Sequence, residues 1–195
     1  DVDVLLLPDY LPGEVSFHHL PSYPQDLFIA FGAWDGEGAN PTNGVRLVNG
    51  LTGNTDDTIE VIRFKDDSEK GVVELRETVL AAKTTIGDDH ILGFADEDRL
   101  EGGPGADTLT GYNSDDIYIH RSGDGLTVID DLGFYATDVL QIVGMDAADV
   151  NFARDPLDRE TLVITFAGSV DRIELRNTLT ASQRDSVDVI EMRAT

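Results

Sequence analysis

The sequence predicts an all-β chain in which two related strand-rich segments flank a short array of nine-residue repeats. Three observations predict it. Apolar residues alternate with polar ones in short runs, as in Asp171-Arg172-Ile173-Glu174-Leu175, the signature of half-buried strands. Glycine and aspartate recur with a period of nine between Thr84 and Ile119. A longer self-similarity relates the beginning of the chain to its end.

The first segment opens with Asp3-Val4-Leu5, which matches Asp138-Val139-Leu140 at an offset of 135. That offset holds through Val15/Val150, Phe17/Phe152, Pro21/Pro156, Leu27/Leu162, Ile29/Ile164 and Phe31/Phe166. It becomes 128 for Leu47/Leu175, Asn49/Asn177, Leu51/Leu179, Asp57/Asp185, Val61/Val189 and Ile62/Ile190, so the first copy carries seven extra residues between Phe31 and Val45. Leu27–Phe31 and Leu162–Phe166 read as half-buried strands, as do Ile59–Phe64 and Val187–Met192. The best helical stretch is Val72–Ala82. The insertion around Trp34-Asp35-Gly36-Glu37-Gly38-Ala39-Asn40-Pro41 holds the only tryptophan and reads as a surface loop, with an exposed, sugar-stacking Trp as the sharper alternative.

Between the copies, Gly102-Gly103-Pro104-Gly105-Ala106-Asp107-Thr108-Leu109-Thr110 is a complete G-G-x-G-x-D-x-U-x unit, U being apolar. Neighbouring windows in the same register keep the aspartate and the apolar residue: Asp89 and Ile91, Asp98 and Leu100, Asp116 and Tyr118. Glycines permit a tight turn that exposes carbonyls on one side, the aspartate adds a charged oxygen, and the U residue anchors a strand beneath. A hard cation such as calcium takes six to eight oxygens of this kind. An acidic, glycine-rich surface loop would not hold the register through four windows.

These repeats resemble the repeats-in-toxin (haemolysin-type) calcium-binding family, and Arg121-Ser122-Gly123-Asp124-Gly125-Leu126-Thr127-Val128-Ile129-Asp130-Asp131 resembles the segment that often closes such arrays. The resemblance implies a short parallel β-roll, with turns alternating between two edges and calcium between turns stacked on one edge. Asp89 and Asp107 would share one edge, Asp98 and Asp116 the other. It implies calcium ligands among Gly87, Asp89, Asp96, Asp98, Gly102, Gly103, Pro104, Gly105, Asp107, Gly111, Asn113 and Asp116. Thr84 and Thr85 lack the paired glycines, and Phe94 and Tyr112 replace the second glycine of their windows. The flanking copies resemble the domain often found after such repeats and are expected to cap the roll. The expected division is 1–83, 84–131 and 132–195.

Charge agrees with a cation-binding role. The chain has 38 acidic and 14 basic residues, a net charge of −24. That balance opposes nucleic-acid phosphate and anionic membrane as partners. Between Thr84 and Asp131, 12 acidic residues face two arginines. No cysteine is present, which excludes disulfides, thiolate metal sites and a cysteine nucleophile. No apolar run approaches a membrane span. His18, His19, His90 and His120 lie in no zinc-hydrolase spacing; His18 and His19 read as surface positions and His90 as an outward residue. No nucleophile elbow, phosphate loop or dinucleotide fingerprint occurs.

The expectation is therefore a non-enzymatic, calcium-binding module of a larger secreted bacterial protein. The resemblance implies type I secretion and folding in external calcium. The alternatives are a calcium-dependent adhesin or carbohydrate-binding segment with a cell-surface or glycan partner, or the tail of a secreted hydrolase. The start at Asp1, without Met or signal peptide, reads as a fragment or processed product, with a further G-G-x-G-x-D block expected ahead of it.

Overall fold

The computed structural model describes residues 2–20, 22–34, 43–52, 58–133, 136–179 and 187–194. The Pro21, Asp57 and Asp185 matches and most of the tryptophan loop, 35–42, lie outside the described residues. The chain is strand-rich, as an all-β reading requires. It divides into two compact units, 1–79 and 80–195.

In the first unit β1 (Val4–Leu7), β2 (Ser16–Leu20), β3 (Tyr23–Ala30), β4 (Gly44–Leu47), β5 (Val61–Phe64) and β6 (Glu69–Gly71) form two three-stranded sheets, ordered β1-β5-β6 and β2-β3-β4. Phe17 of β2 meets Phe64 of β5 edge to face, ring centroids 6.5 Å apart, so the sheets share a core. The helix α1 (Val72–Ala81) follows, as the sequence predicts to within a residue.

Two expectations fail here. Leu27, Phe28, Ile29 and Ala30 are all buried rather than alternating, because both faces of β3 are covered. On the second face, the Phe28 ring lies 5.8 Å from the Trp34 ring and beneath the Arg46 guanidinium. His18 and His19 are not surface positions. The period of two puts His19 on the face of Phe17, where both are buried, and His18 on the other, where its imidazole stacks on Trp34 at 4.7 Å. Trp34 is half-buried by that contact rather than freely exposed.

The second unit begins with β7 (His90–Leu92), β8 (Arg99–Glu101), β9 (Gly105–Thr110), β10 (Ile117–Arg121) and β11 (Gly125–Ile129). It continues with β12 (Asp138–Val143), β13 (Val150–Arg154), β14 (Leu162–Phe166), β15 (Arg172–Leu175) and β16 (Val187–Arg193). Successive strands alternate between two sheets. β8, β10, β12 and β16 run parallel in one. β7, β9, β11 and β15 run parallel in the other, extended by the antiparallel pair β14 and β13. The first sheet is parallel throughout its described strands and the second is mixed. The four apolar U residues, Ile91, Leu100, Leu109 and Tyr118, are each at most 1% exposed and form the core between the two rows.

The long self-similarity recurs in three dimensions. Short 3-10 turns occupy Pro12–Glu14 and Ala147–Asp149, 135 residues apart. β4 and β15 are 128 residues apart at both ends. The pairings coincide: Val4↔Val61 with Val139↔Val189, Phe17↔Ile29 with Phe152↔Ile164, Leu27↔Leu47 with Leu162↔Leu175. Asn49 and Asn177 both take left-handed backbone, φ 56° and 57°.

Candidate metal centre

The turns between strands collect at two edges, because each connection from one sheet to the other reverses the side of the stack. One edge holds the segment 84–89, the 102–104 turn, the 122–124 turn and Asp171 just ahead of β15. The other holds 93–98, 111–116, Asp131 after β11, Asp138 at the start of β12, and Asp188 in β16. Acidic side chains line both.

Asp107 and Asp116 each bond to the turn eighteen residues before them, whereas Asp89 and Asp98 accept from Thr85 and Phe94, four residues back. The Asp89 N–H donates to Asp107 Oδ1 at 2.9 Å, and the Asp98 N–H donates to Asp116 Oδ1 at 2.9 Å. The second ladder continues beyond the nonapeptides: the Asp116 N–H donates to Asp138 Oδ1 at 2.9 Å, and the Asp138 N–H to Asp188 at 3.2 Å. At the first edge Asp171 accepts from the Gly123 and Gly125 amides at 3.0 and 2.9 Å.

Asp107 and Asp116 use one oxygen in this way and leave the other over, whereas Asp171 uses both. Asp107 Oδ2, Asp116 Oδ2 and Asp131 Oδ2 are buried without a hydrogen-bond partner. Asp107 and Asp116 are themselves fully buried. A buried, unpaired carboxylate oxygen costs several kcal/mol, so a cation is the natural complement.

The surroundings sharpen that need. Burial pushes the Asp116 carboxyl up to about 8, and the neighbouring Asp98, Asp138 and Asp131 push the same way. Asp138 rises to about 7, first through burial and then through Asp131 and Asp188. Asp107 and Asp124 are raised mainly by burial, with Asp89, Asp124 and Asp88 adding repulsion at Asp107. Without a counter-ion, charging all of these carboxylates opposes folding.

Glycine makes room for the carboxylates. A Cβ on Gly102 would stand 2.5 Å from Asp107 Oδ2, and Cβ atoms on Gly93 and Gly111 would meet Asp98 and Asp116 in the same way. The first glycine of the repeat therefore stands against the aspartate of its own window, five residues on. The second glycine supplies left-handed backbone: Gly103 has φ 78°. Tyr112, in that slot of the next window, is held at φ 76° despite its side chain.

Of the expected ligands, Asp89 with Asp107 and Asp98 with Asp116 are brought together in pairs. Gly102 and Gly111 line the cradles of Asp107 and Asp116, Gly103 packs against Thr84 and Thr85, and the Gly87 carbonyl packs against Gly105. Asp96 is half-buried, whereas Pro104 and Asn113 are exposed. Among the described residues no three His, Asp or Glu side chains converge as a ready-made metal cluster. Backbone carbonyls of the stacked turns would have to complete a calcium shell, as the chemistry of the ion allows.

Residues 84–126 match the RTX calcium-binding nonapeptide repeat. The match comprises four copies, over 84–109 and 92–126. No curated protein matches the chain. The unpaired aspartate oxygens, the glycine cradles and the mutual repulsion all fit the ion that RTX repeats take.

Sequence reasoning missed Asp124, Asp131, Asp138, Asp171 and Asp188 as members of these edges. It also missed Tyr118: its phenol accepts the Gly111 N–H at 2.9 Å, tying the 111–116 turn to the core beneath it. His90 is exposed, as expected of an outward slot. His120 is fully buried, bonded through Nδ1 to Thr127 at 2.8 Å, and its pKa is lowered by burial.

Proposed function

We propose that this chain is a calcium-dependent structural module of a larger secreted RTX-type protein, ordered by calcium outside the cell. The observation that carries the reading is a buried, partnerless carboxylate oxygen at each edge, on Asp107 at one and Asp116 at the other, against glycines that leave no room for anything larger. Calcium would neutralise them and draw carbonyls from consecutive turns on one edge. The ligand set is Asp89 and Asp107 with carbonyls of Gly87, Gly102, Gly103, Pro104 and Gly105 at one edge. At the other it is Asp96, Asp98 and Asp116 with carbonyls of Gly111 and Asn113.

Residues 84–131 then form a short parallel β-roll. Four nonapeptides make only about two coils, fewer than the three or more units that stacked repeats need to bury a continuous core. Segment 132–195 serves as a cap: β12 and β15 continue the two parallel rows and cover the edges of β10 and β11. Segment 1–83 is a second copy of that cap. The role is architectural rather than catalytic.

RTX repeats are typical of secreted proteins, and type I export of an unfolded chain suits a fold that forms only in calcium. Sites with affinities of roughly tens of micromolar to millimolar stay empty in cytosol and fill outside. Binding to the folded state alone then stabilises by mass action. Among the described residues no helix is long and apolar enough to cross a membrane.

Isothermal titration of the chelated chain with calcium tests this reading. Endothermic or exothermic uptake coupled to a gain of β structure is expected, and no uptake at millimolar calcium refutes it.

A further inference from the structure

The cap fold is present twice, and among the described residues its free edge is covered in one copy only. In the second unit β12 takes β10 and β15 takes β11. The Val139 N–H donates to the Asp116 carbonyl at 2.9 Å, and the Arg176 N–H to the Ile129 carbonyl at 2.9 Å. Asp138 Oδ1 receives the Asp116 N–H. The corresponding positions of the first unit are Val4, Val48 and Asp3. There β1 and β4 are outer strands of their sheets, and among the described residues no strand pairs their second edges.

Asp3 is also held as its counterpart is. The Asp138 N–H donates to the Asp188 carboxylate at 3.2 Å, and the Asp3 N–H to the Glu60 carboxylate at 2.5 Å. Burial marks what is missing. Leu140, Ile173 and Leu175 are at most 1% exposed where the repeat coil covers them. Leu5, Val45 and Leu47, their counterparts, are only half-buried.

We propose that the β1 and β4 edges are a docking site for the last coil of another stack of calcium repeats, taken in the register in which β12 and β15 take β10 and β11. Main-chain pairing on two edges would supply affinity, and an apolar strand residue would cover Leu5, Val45 and Leu47. The Asp3 carboxylate would receive the amide of the incoming aspartate. A second copy of this chain is not the occupant, because its own β10 and β11 are already paired with β12 and β15. The inference rests on the calcium-ordered coil proposed above.

The test fuses a further polypeptide of residues 84–131 ahead of Asp1 of the full chain, the order in which 84–131 precedes the second copy, and follows amide exchange in calcium. The outward amides of Val4 and Val48 should slow by about tenfold or more as local opening is suppressed. The double variant Asp3→Ala, Val4→Pro, whose folding is checked by an unchanged melting temperature without the polypeptide, should lose that protection. Proline at the first residue of an edge strand removes only an outward amide. If 84–131 of the full chain orders in calcium while Val4 and Val48 gain nothing, docking is wrong and the calcium reading stands. If 84–131 fails to order at all, both fall. Calcium-dependent dimers that protect Val4 and Val48 without the polypeptide would overturn the choice of occupant.

Discussion

Replacing Asp116 with Asn should change stability in opposite directions with and without calcium. The amide keeps an oxygen to accept the Asp98 N–H, now 2.9 Å from Oδ1, so the hydrogen bond survives. What disappears is the charge. In the metal-free fold the carboxyl titrates near 8, against an ordinary value of about 3.9 in the unfolded chain. Because the folded pKa is the higher one, the folded state binds the extra proton. Its stability is therefore full below about pH 4 and falls as pH rises towards 8. At pH 7 the gap is roughly three units at about 1.4 kcal/mol each, so ionisation strain at this one site is on the order of 4 kcal/mol. The Asn variant escapes that strain and should be more stable in chelator, by about 2–4 kcal/mol. In calcium the sign reverses. A unit charge about 4 Å from another is worth ~4 kcal/mol at an effective dielectric near 20, so losing a charged ligand should weaken calcium binding by at least about thirtyfold. Urea melts in chelator and in saturating calcium, with titration calorimetry, give both numbers. A variant that is less stable in chelator and binds calcium as tightly as the parent would refute the reasoning.

Acidification should act as a partial substitute for calcium: in chelator the melting temperature rises as pH falls from about 8 to 5, since Asp116 and Asp138 then take up protons. In saturating calcium the same titration should lower it, because protons compete with the ion; scanning calorimetry across pH checks both slopes. Gly102→Ala should cost about 1–3 kcal/mol in calcium, since the new methyl meets the Asp107 side chain, and denaturant melts measure it. Tyr112→Gly should stabilise by up to about 1 kcal/mol by releasing left-handed backbone, seen as a higher urea midpoint at unchanged slope.

Much of this arrangement was legible because it is periodic. The nine-residue register placed Ile91, Leu100, Leu109 and Tyr118 in one core and paired Asp89 with Asp107 and Asp98 with Asp116. The offsets of 135 and 128 matched strand pairings that recur in both units. What escaped notice lies where period gives way to topology. Asp138 follows Asp116 by 22 residues rather than 18, because the β11–β12 connection is longer, yet it takes the next rung of the ladder. Asp171 and Asp188 reach the edges only after a hairpin or a long connection, so no spacing rule finds them. The one available signal was that Asp138 opens the second copy directly after the closing segment. His19 was misplaced by reading its variable counterpart rather than its own strand period. The double burial of Leu27–Ala30 depends on Trp34 and Arg46, which arrive from elsewhere in the chain.

The central claim is that calcium, rather than apolar burial alone, orders the repeat turns. Native-state hydrogen exchange with and without chelator tests it most directly, since it separates the regions of one chain. Stripping calcium should abolish protection across 90–129 and at Val139 and Arg176, whose amides donate to the repeat strands. The antiparallel β13–β14 pair, joined by its own ladder, should keep part of its protection. Equal protection of 90–129 in calcium and in chelator, at pH 8 where the carboxylates are least protonated, would contradict the account.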